Sequence, residues 1–244
     1  MLPPLYQALP IPWRSAAHDW PADAPAYPSE HRGVPAPLRL PWGLKPLGSA
    51  LSGIDRLADG RLRCWIRHDT VRGVTPRMLA WWFANLEGEA EVEGARIARY
   101  RLWHPYDHVH ASYLRRCADG SIGPGAVIRL RELLGANPRY TVDITTTIEK
   151  LDEEGYIHNP VVHGLPGLAR MEYRFCAVPG GTRYENCLLV GRPGRLGRAL
   201  APLVQALAFP PGKGEAWLRH NIEEVGMLEH FLPALYRQET GLDA

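Results

Sequence analysis

The sequence has little of what marks several common classes of protein. Its four cysteines are scattered and form no CxxC pair, which disfavours a disulfide scaffold and a cysteine zinc ribbon. It holds no apolar run of about 18 residues, the length that spans a membrane. It also lacks a polybasic tract for nucleic acid and a recognisable secretory leader. We therefore expect a reduced, cytoplasmic protein that binds neither membrane nor nucleic acid.

Motifs of three well-known enzyme classes are also missing. There is no GxSxG nucleophile elbow, no HExxH metalloprotease helix and no GxxxxGK[ST] phosphate loop. What remains is an ordinary globular composition of 244 residues, 45% of them hydrophobic and 22% charged, with a formal net charge of +2. This length suits one large domain with an additional arm.

Prolines are concentrated at the N-terminus, where eleven of the 23 fall within the first 50 residues. Because proline interrupts helices and central strands, we predict an irregular Pro-rich arm over residues 1–50. Large aromatic residues recur in this segment, which favours an arm that lies on the body over a flexible tail. Residues 51–244 are predicted to form a single catalytic domain.

The middle of the chain has the pattern of strands and its end has the pattern of helices. Strands are predicted at Leu62–Arg67, Arg96–Trp103, Ala126–Leu134, Tyr140–Leu151, Tyr156–Val162, Arg170–Val178 and Arg183–Val190. Thr75 and Pro76 predict the start of one helix, and further helices are expected from residue 195 and over Glu215–Tyr236. This order predicts an α+β helix-grip fold, in which a curved antiparallel sheet surrounds the long C-terminal helix and encloses a cavity.

One stripe of the last predicted helix combines apolar and ionisable residues. At helical spacing it carries Trp217, His220, Glu224, Leu228, Phe231 and Leu235. A buried carboxylate without a partner is costly, so His220 and Glu224 predict a compensating group. Ligands at i and i+4 can reach one metal ion. The alternatives are a His–Glu hydrogen bond and an ion pair with an arginine of the sheet.

Further candidate ligands come from two other segments. The string WHPYDHVH holds His104, Asp107, His108 and His110. In AVIRLRELL, strand alternation places Glu132 on the same face as Ile128 and Leu130, so that its carboxylate points inward. Glu149, in TTTIEKL, competes with Glu132 for this role.

Together these segments resemble a known family. The strings WLRHNIEEVGMLEHFLPALY and YRLWHPYDH and the earlier WWF helix are similar to those of the 2,4-diacetylphloroglucinol hydrolase family, which includes phloretin hydrolase-like enzymes. The resemblance is most specific in HNIEE and WHPYDH. It implies a START-like helix-grip fold and a zinc-dependent hydrolase. Such an enzyme cleaves the carbon–carbon bond between an acyl group and a phenolic ring in a small aromatic ketone.

The resemblance also implies roles for six residues. The zinc ligands would be His108, Glu132, His220 and Glu224, with Glu149 still open as the alternative strand ligand. Tyr100 matches an active-site tyrosine of the family, and His163 matches its histidine that does not bind metal. Tyr100 would bind a phenolic oxygen, and His163 would donate a proton to the ring carbon.

Two other functions are compatible with the same scaffold. A START-like carrier would hold an apolar or aromatic ligand without catalysis, but it has no need for His220 and Glu224 on a buried stripe. A polyketide cyclase or aldolase would use the cavity without releasing a carboxylic acid. The oligomeric state stays open, with a homodimer as one alternative.

Overall fold

The computed structural model describes residues 35–210 and 212–242, except for the side chain of Ala208. A large antiparallel sheet and a long helix organise these residues. The strands are β1 Ala50–Arg56, β2 Leu62–His68, β3 Val71–Arg72, β4 Glu89–Val92, β5 Ala95–Ala98, β6 His108–Arg115, β7 Val127–Leu134, β8 Asn137–Asp152, β9 Gly155–Pro160, β10 Ala169–Val178 and β11 Gly181–Val190. The helices are α1 Pro76–Ala84, α2 Arg99–Trp103, α3 Gly194–Ala208 and α4 Lys213–Thr240.

The main sheet has nine strands. Eight follow the order β1-β2-β11-β10-β9-β8-β7-β6, and β3 pairs with β11 away from this path. All of these pairings are antiparallel, and β6 lies at one end of the order. Strands β4 and β5 form a separate hairpin. Successive hairpins therefore build the sheet from β6 to β11, as the strand pattern predicts.

Helix α4 is the element that the sheet surrounds. It packs against α1, α2 and strands near both ends of the sheet, including β2 near one end and β7 near the other. All six residues of the predicted stripe on α4 are buried. The α+β helix-grip fold predicted from the sequence, a curved antiparallel sheet around the long C-terminal helix, is confirmed.

The start of α1 follows its sequence signals closely. The Thr75 hydroxyl accepts a hydrogen bond from the Met78 amide, and Pro76 occupies the first helical position. The buried face of this helix includes Trp82 and Phe83. These rings contact Trp103 of α2 and form part of the wall behind the cavity.

The prediction of a continuous strand over Arg96–Trp103 is wrong. Strand β5 ends at Ala98, and Arg99–Trp103 form the short helix α2. A helical turn places Tyr100 and Trp103 on the same side, three residues apart, where both are buried. Packing of these two rings against the core outweighs the strand propensity of the segment.

The described part of the predicted arm lies on the back of α4. The Leu38 amide donates to the Pro105 carbonyl, and the Trp42 ring stacks on His230 at 5.6 Å. Lys45 forms an ion pair with Glu229. A Cβ atom at Gly226 would lie 2.4 Å from the Lys45 side chain, so this close approach requires glycine. Residues 1–34 of the arm lie outside the described residues.

No helix in the described parts of the chain is both long enough and apolar enough to cross a membrane.

Candidate functional site

Three elements bring four predicted ligands together at the inner wall of the sheet. In the register of β6 and β7, His108 pairs directly with Glu132. The helical spacing of α4 places His220 and Glu224 one turn apart, facing these two strand residues. His108, His220 and Glu224 are almost fully buried, and the Glu132 side chain is 15% exposed. The fold thus gathers all four residues into what we call the His–Glu cluster.

The donor atoms of this cluster surround a common point. The Glu224 Oε2 atom lies 3.2 Å from His108 Nε2 and 3.6 Å from His220 Nε2. The Glu132 Oε2 atom lies 3.9 Å from each of the same two nitrogens. Four ligands held at about 2.0–2.1 Å from a tetrahedral zinc ion would lie roughly 3.3–3.4 Å apart. The observed spacings fit one ion at the centre after small side-chain movements.

Both imidazole rings turn their Nδ1 atoms toward a buried acceptor and their Nε2 atoms toward the centre of the cluster. His108 Nδ1 lies 2.7 Å from the Tyr100 carbonyl oxygen, to which it donates, so the unprotonated nitrogen is Nε2. This Nε2 atom is buried and has no hydrogen-bond partner among the described residues. His220 Nδ1 donates in the same way to Asp107 Oδ2 at 2.8 Å. A buried acceptor without a donor is costly, and a metal cation would satisfy it.

The electrostatics of the cluster also favour a cation. Burial raises the pKa of Glu224 to about 8. His220 acts to lower this pKa, and the nearby carboxylates of Glu132 and Asp107 act to raise it. Burial acts to lower the pKa of His220, but the hydrogen bond to Asp107 and the adjacent carboxylates outweigh it and raise the pKa to about 10. Two carboxylates and two histidines at this depth form a donor set that accepts zinc, iron or manganese.

A second layer of buried polar residues supports His220. Asp107 accepts from His220, from the Gly135 amide and from the Ala136 amide, each at 2.8 Å. The His104 ring stacks on the His220 ring at 4.9 Å. His104 Nε2 lies 3.3 Å from Glu223, whose other oxygen accepts from Arg219 at 2.9 Å. Such partners set the tautomer and orientation of a histidine ligand.

Replacing Asp107 by asparagine is expected to weaken metal binding about 10–100-fold, because loss of a ligand's hydrogen-bond partner typically costs this much. The asparagine amide cannot accept from His220, Gly135 and Ala136 at once, since one of its two terminal atoms is a donor. A chelator competition titration measures the affinity. Asp119→Asn is the matched control, because Asp119 is exposed in a turn and bonds only to Ser121 in the described structure. Equal affinities in both variants would contradict this role.

Tyr100 lies directly against the cluster. Its ring stacks on His108 with centroids 3.8 Å apart, and its hydroxyl donates to Glu132 Oε2. Burial, and then the charge of Glu132, raise the pKa of Tyr100 well above its usual value, so the phenol stays protonated. Tyr100 therefore holds Glu132 in place and offers a hydroxyl at the wall of the cavity.

Glu149, the alternative strand ligand, lies elsewhere. Its side chain is exposed and forms hydrogen bonds with Arg170 and Asn159. The pairing of β8 with β9 is irregular between Ile148 and Lys150, at the position of Glu149. Of the two candidates, the structure brings Glu132 into the His–Glu cluster. His110, from the WHPYDHVH string, is likewise exposed.

His163 and an unpredicted histidine, His158, both line the cavity. His163 is exposed in the loop after β9, in a left-handed conformation with φ of 49°, and the structure records no bond from it to the His–Glu cluster. His158 is buried on β9, and its Nδ1 lies 2.7 Å from the Thr146 hydroxyl. Burial lowers the pKa of His158 to about 3, so it is neutral. Alternation along YIHNP, which places His158 on the face of Tyr156, was the sequence signal for it.

The cavity between the sheet and α4 has a volume of about 680 Å³. This size suits a small organic molecule. Aromatic rings form much of its wall, and the His–Glu cluster lies at its surface. The lining includes Tyr100, Trp103, Glu132, Tyr156, His158, Tyr173, Trp217, His220 and Glu224. A flat ring bound here would reach the cluster directly.

Residues 48–129 match the family model of the DAPG hydrolase PhiG domain. The resemblance to the DAPG hydrolase family is thereby confirmed. The matched segment runs from before β1 into β7 and contains Tyr100, Asp107 and His108, while Glu132 and the α4 residues lie beyond it. The match of this segment to the DAPG hydrolase family model supports a hydrolytic enzyme. No curated protein matches the chain.

The chain is similar to several solved structures at low sequence identity. Protein Ms6760 from Mycobacterium smegmatis has 14% identity and a TM-score of 0.43, over 72% of this chain and 95% of that one. A Rhodobacter sphaeroides protein has 16% identity and a TM-score of 0.43, over 75% and 99%. A START superfamily protein from Mycobacterium smegmatis has 12% identity and a TM-score of 0.36, over 64% and 96%.

Proposed function

We propose that this protein is a metal-dependent hydrolase that cleaves the carbon–carbon bond between an acyl group and a phenolic ring. The observation that carries the proposal is the His–Glu cluster, whose two imidazole nitrogens and two carboxylates surround one point at the wall of an aromatic cavity. The match to the DAPG hydrolase family supports the same reaction. Zinc is the metal that the family resemblance implies.

His108, Glu132, His220 and Glu224 would hold the ion. A bound divalent cation supplies Lewis acidity, which activates water near neutral pH and polarises a carbonyl group. The chain would contribute the orientation of both imidazoles through Asp107 and the Tyr100 carbonyl, and a mostly apolar cavity for the ring. The balanced reaction consumes one water molecule and releases a carboxylic acid and the deacylated phenol.

Side chains of the cavity would bind the ring and supply the proton that it needs. When the acyl–ring bond breaks, its electron pair passes to the ring carbon, which must then take a proton. The Tyr100 hydroxyl, which donates to Glu132, would bind a phenolic hydroxyl group by accepting its hydrogen bond. The neutral His158, whose Nδ1 faces Thr146 and which lines the cavity, would bind a second ring substituent through its Nε2 atom. His163, at the cavity wall, keeps the proposed role of proton donor to the ring carbon.

The test combines metal analysis with product analysis on the freshly purified full-length protein. We expect about one metal ion per chain by elemental mass spectrometry, and conversion of monoacetylphloroglucinol, diacetylphloroglucinol or phloretin to a free acid and the deacylated ring. Removal of the metal should abolish turnover, and added zinc should restore it.

Two results would contradict different parts of the proposal. A protein that takes up no divalent metal would show that the His–Glu cluster is not a metal site. A fully loaded protein that leaves all three ketones unchanged would show that the substrate class is wrong. Comparison of His158→Ala with His163→Ala separates the two histidines, since loss of a proton donor lowers kcat and loss of a binding contact raises KM.

A further inference from the structure

Helix α4 begins with a positive side chain at the wall of the cavity. Lys213, the first residue of this helix, lines the cavity, and its Nζ atom lies 5.8 Å from the ring centroid of Phe209, another residue of the wall. The Lys213 residue is half-buried. Burial lowers the pKa of Lys213, and the charge of Glu132 opposes this shift. The ammonium group is therefore partly removed from water and within electrostatic range of the His–Glu cluster.

Lys213 lies on the same face of α4 as two residues of that cluster. Lys213, Trp217, His220 and Glu224 follow one another at intervals of four, three and four residues, so they form one line along the helix. All four line the cavity. Two helical turns separate Lys213 from His220, which is about 10 Å along the helix axis. A benzene ring with a substituent at each end has a similar length.

The charged groups of the cavity wall favour an anionic ligand. Apart from histidines, the charged residues that the structure describes in this wall are Arg129, Glu132, Asp143, Lys213 and Glu224. Arg129 and Asp143 bond to each other at 2.8 Å, and their opposite charges cancel. Glu132 and Glu224 together match the charge of a divalent ion. The charge of Lys213 then makes the wall positive by one unit, and a negative group of the ligand would stabilise it.

We propose that Lys213 gives this enzyme a preference for acylphenols that carry a carboxylate at the end remote from the acyl group. The inference rests on the proposed function, which places the acyl carbonyl at the His–Glu cluster. The ring would then lie along Trp217, and a substituent at its opposite end would reach the Lys213 ammonium group. A carboxylate is ionised at neutral pH, whereas a phenol with a pKa of about 10 is not, so the carboxylate is the group that matches this charge.

The test measures binding of two probes of nearly equal shape, the anion para-acetylbenzoate and the neutral para-acetylbenzamide. Neither probe is a phenol, so isothermal titration calorimetry on the metal-loaded full-length protein measures binding without turnover. We expect para-acetylbenzoate to bind about 10-fold more tightly, which is the lower end of the contribution of a hydrogen bond to a charged group.

Three variants assign this preference to one side chain. Lys213→Met should remove the preference by weakening the binding of para-acetylbenzoate alone, because methionine retains an unbranched apolar chain without the charge. Lys213→Arg should retain the preference. Lys150→Met is the matched control, since Lys150 lies on β8 outside the cavity lining and forms ion pairs with Asp152 and Glu154. This variant should bind both probes like the unchanged protein.

Equal binding of the two probes, or no binding of para-acetylbenzoate at about 10 mM, overturns the proposal. So does a preference that persists in Lys213→Met, which would place the carboxylate at the metal ion instead. These results are distinct from a failure of the proposed function. A protein that prefers para-acetylbenzoate through Lys213 but cleaves no acylphenol contradicts the reaction and supports the charge preference. A protein that cleaves monoacetylphloroglucinol and binds both probes equally contradicts only the role of Lys213.

Discussion

Replacing His108 by alanine is expected to reduce both metal content and ketone cleavage, with activity falling by more than about 100-fold. That figure is the upper end of the loss caused by removing only a ligand's hydrogen-bond partner, and His108 would be a ligand itself. Its Nε2 atom faces Glu224 at 3.2 Å and Glu132 at 3.9 Å. Without this nitrogen, two carboxylates and His220 remain to bind the ion.

The matched control for this prediction lies two residues along the same strand. His110→Ala makes the same chemical change in β6 at an exposed position, so its metal content and activity should equal those of the unchanged protein. Elemental mass spectrometry and a product assay measure both quantities. Full metal content in His108→Ala with a folded circular dichroism spectrum would exclude His108 as a ligand.

Acidification from pH 7 to pH 5 is expected to destabilise the unchanged protein by about 2 kcal/mol more than the His68→Gln variant. Burial lowers the pKa of His68 to about 3, with a partly opposing hydrogen bond to Asn186 at 3.2 Å. In the unfolded chain His68 takes a proton near pH 6.5, whereas in the folded chain it stays neutral down to about pH 3. The contribution of neutral His68 to stability is therefore full above pH 6.5 and lost as the pH falls toward 3.

Urea unfolding of both proteins at the two pH values measures this difference. Glutamine can donate to Asn186 but cannot titrate, so the comparison removes the proton uptake while retaining a donor. Any acid effect on metal loading is common to both proteins and cancels. Identical acid sensitivity in the two proteins would mean that folded His68 accepts a proton.

Much of the site was predictable because two of its ligands share one helix. The spacing of His220 and Glu224 on an otherwise apolar stripe required both to be buried, and α4 buries them. Strand alternation placed Glu132 inward, and the register of β6 with β7 then aligns it with His108. Periodicity carries this information because it fixes which face of an element a side chain occupies.

The remaining parts of the site depend on contacts that no local pattern contains. The bond between Asp107 and His220 joins residues 113 positions apart, and the contact of His104 with Glu223 joins residues 119 apart. Arg99–Trp103 has the local pattern of a strand, yet this segment is helical in the structure, because the helical turn buries Tyr100 and Trp103 in the core. Glu149 competed with Glu132 for the role of strand ligand, and the irregular pairing beside Glu149 and its exposed bonds to Arg170 distinguish the two.

The order in which the ribosome makes the chain separates the two halves of the His–Glu cluster. His108 and Glu132 belong to strands β6 and β7, and the other two residues belong to α4, which follows every strand in the chain. During synthesis the growing chain therefore exposes an unfinished sheet edge with its acidic and histidine side chains uncovered. Any ligand that needs all four residues can bind only after α4 has been made and has packed against the sheet, so the site forms later than the strands that supply its first half.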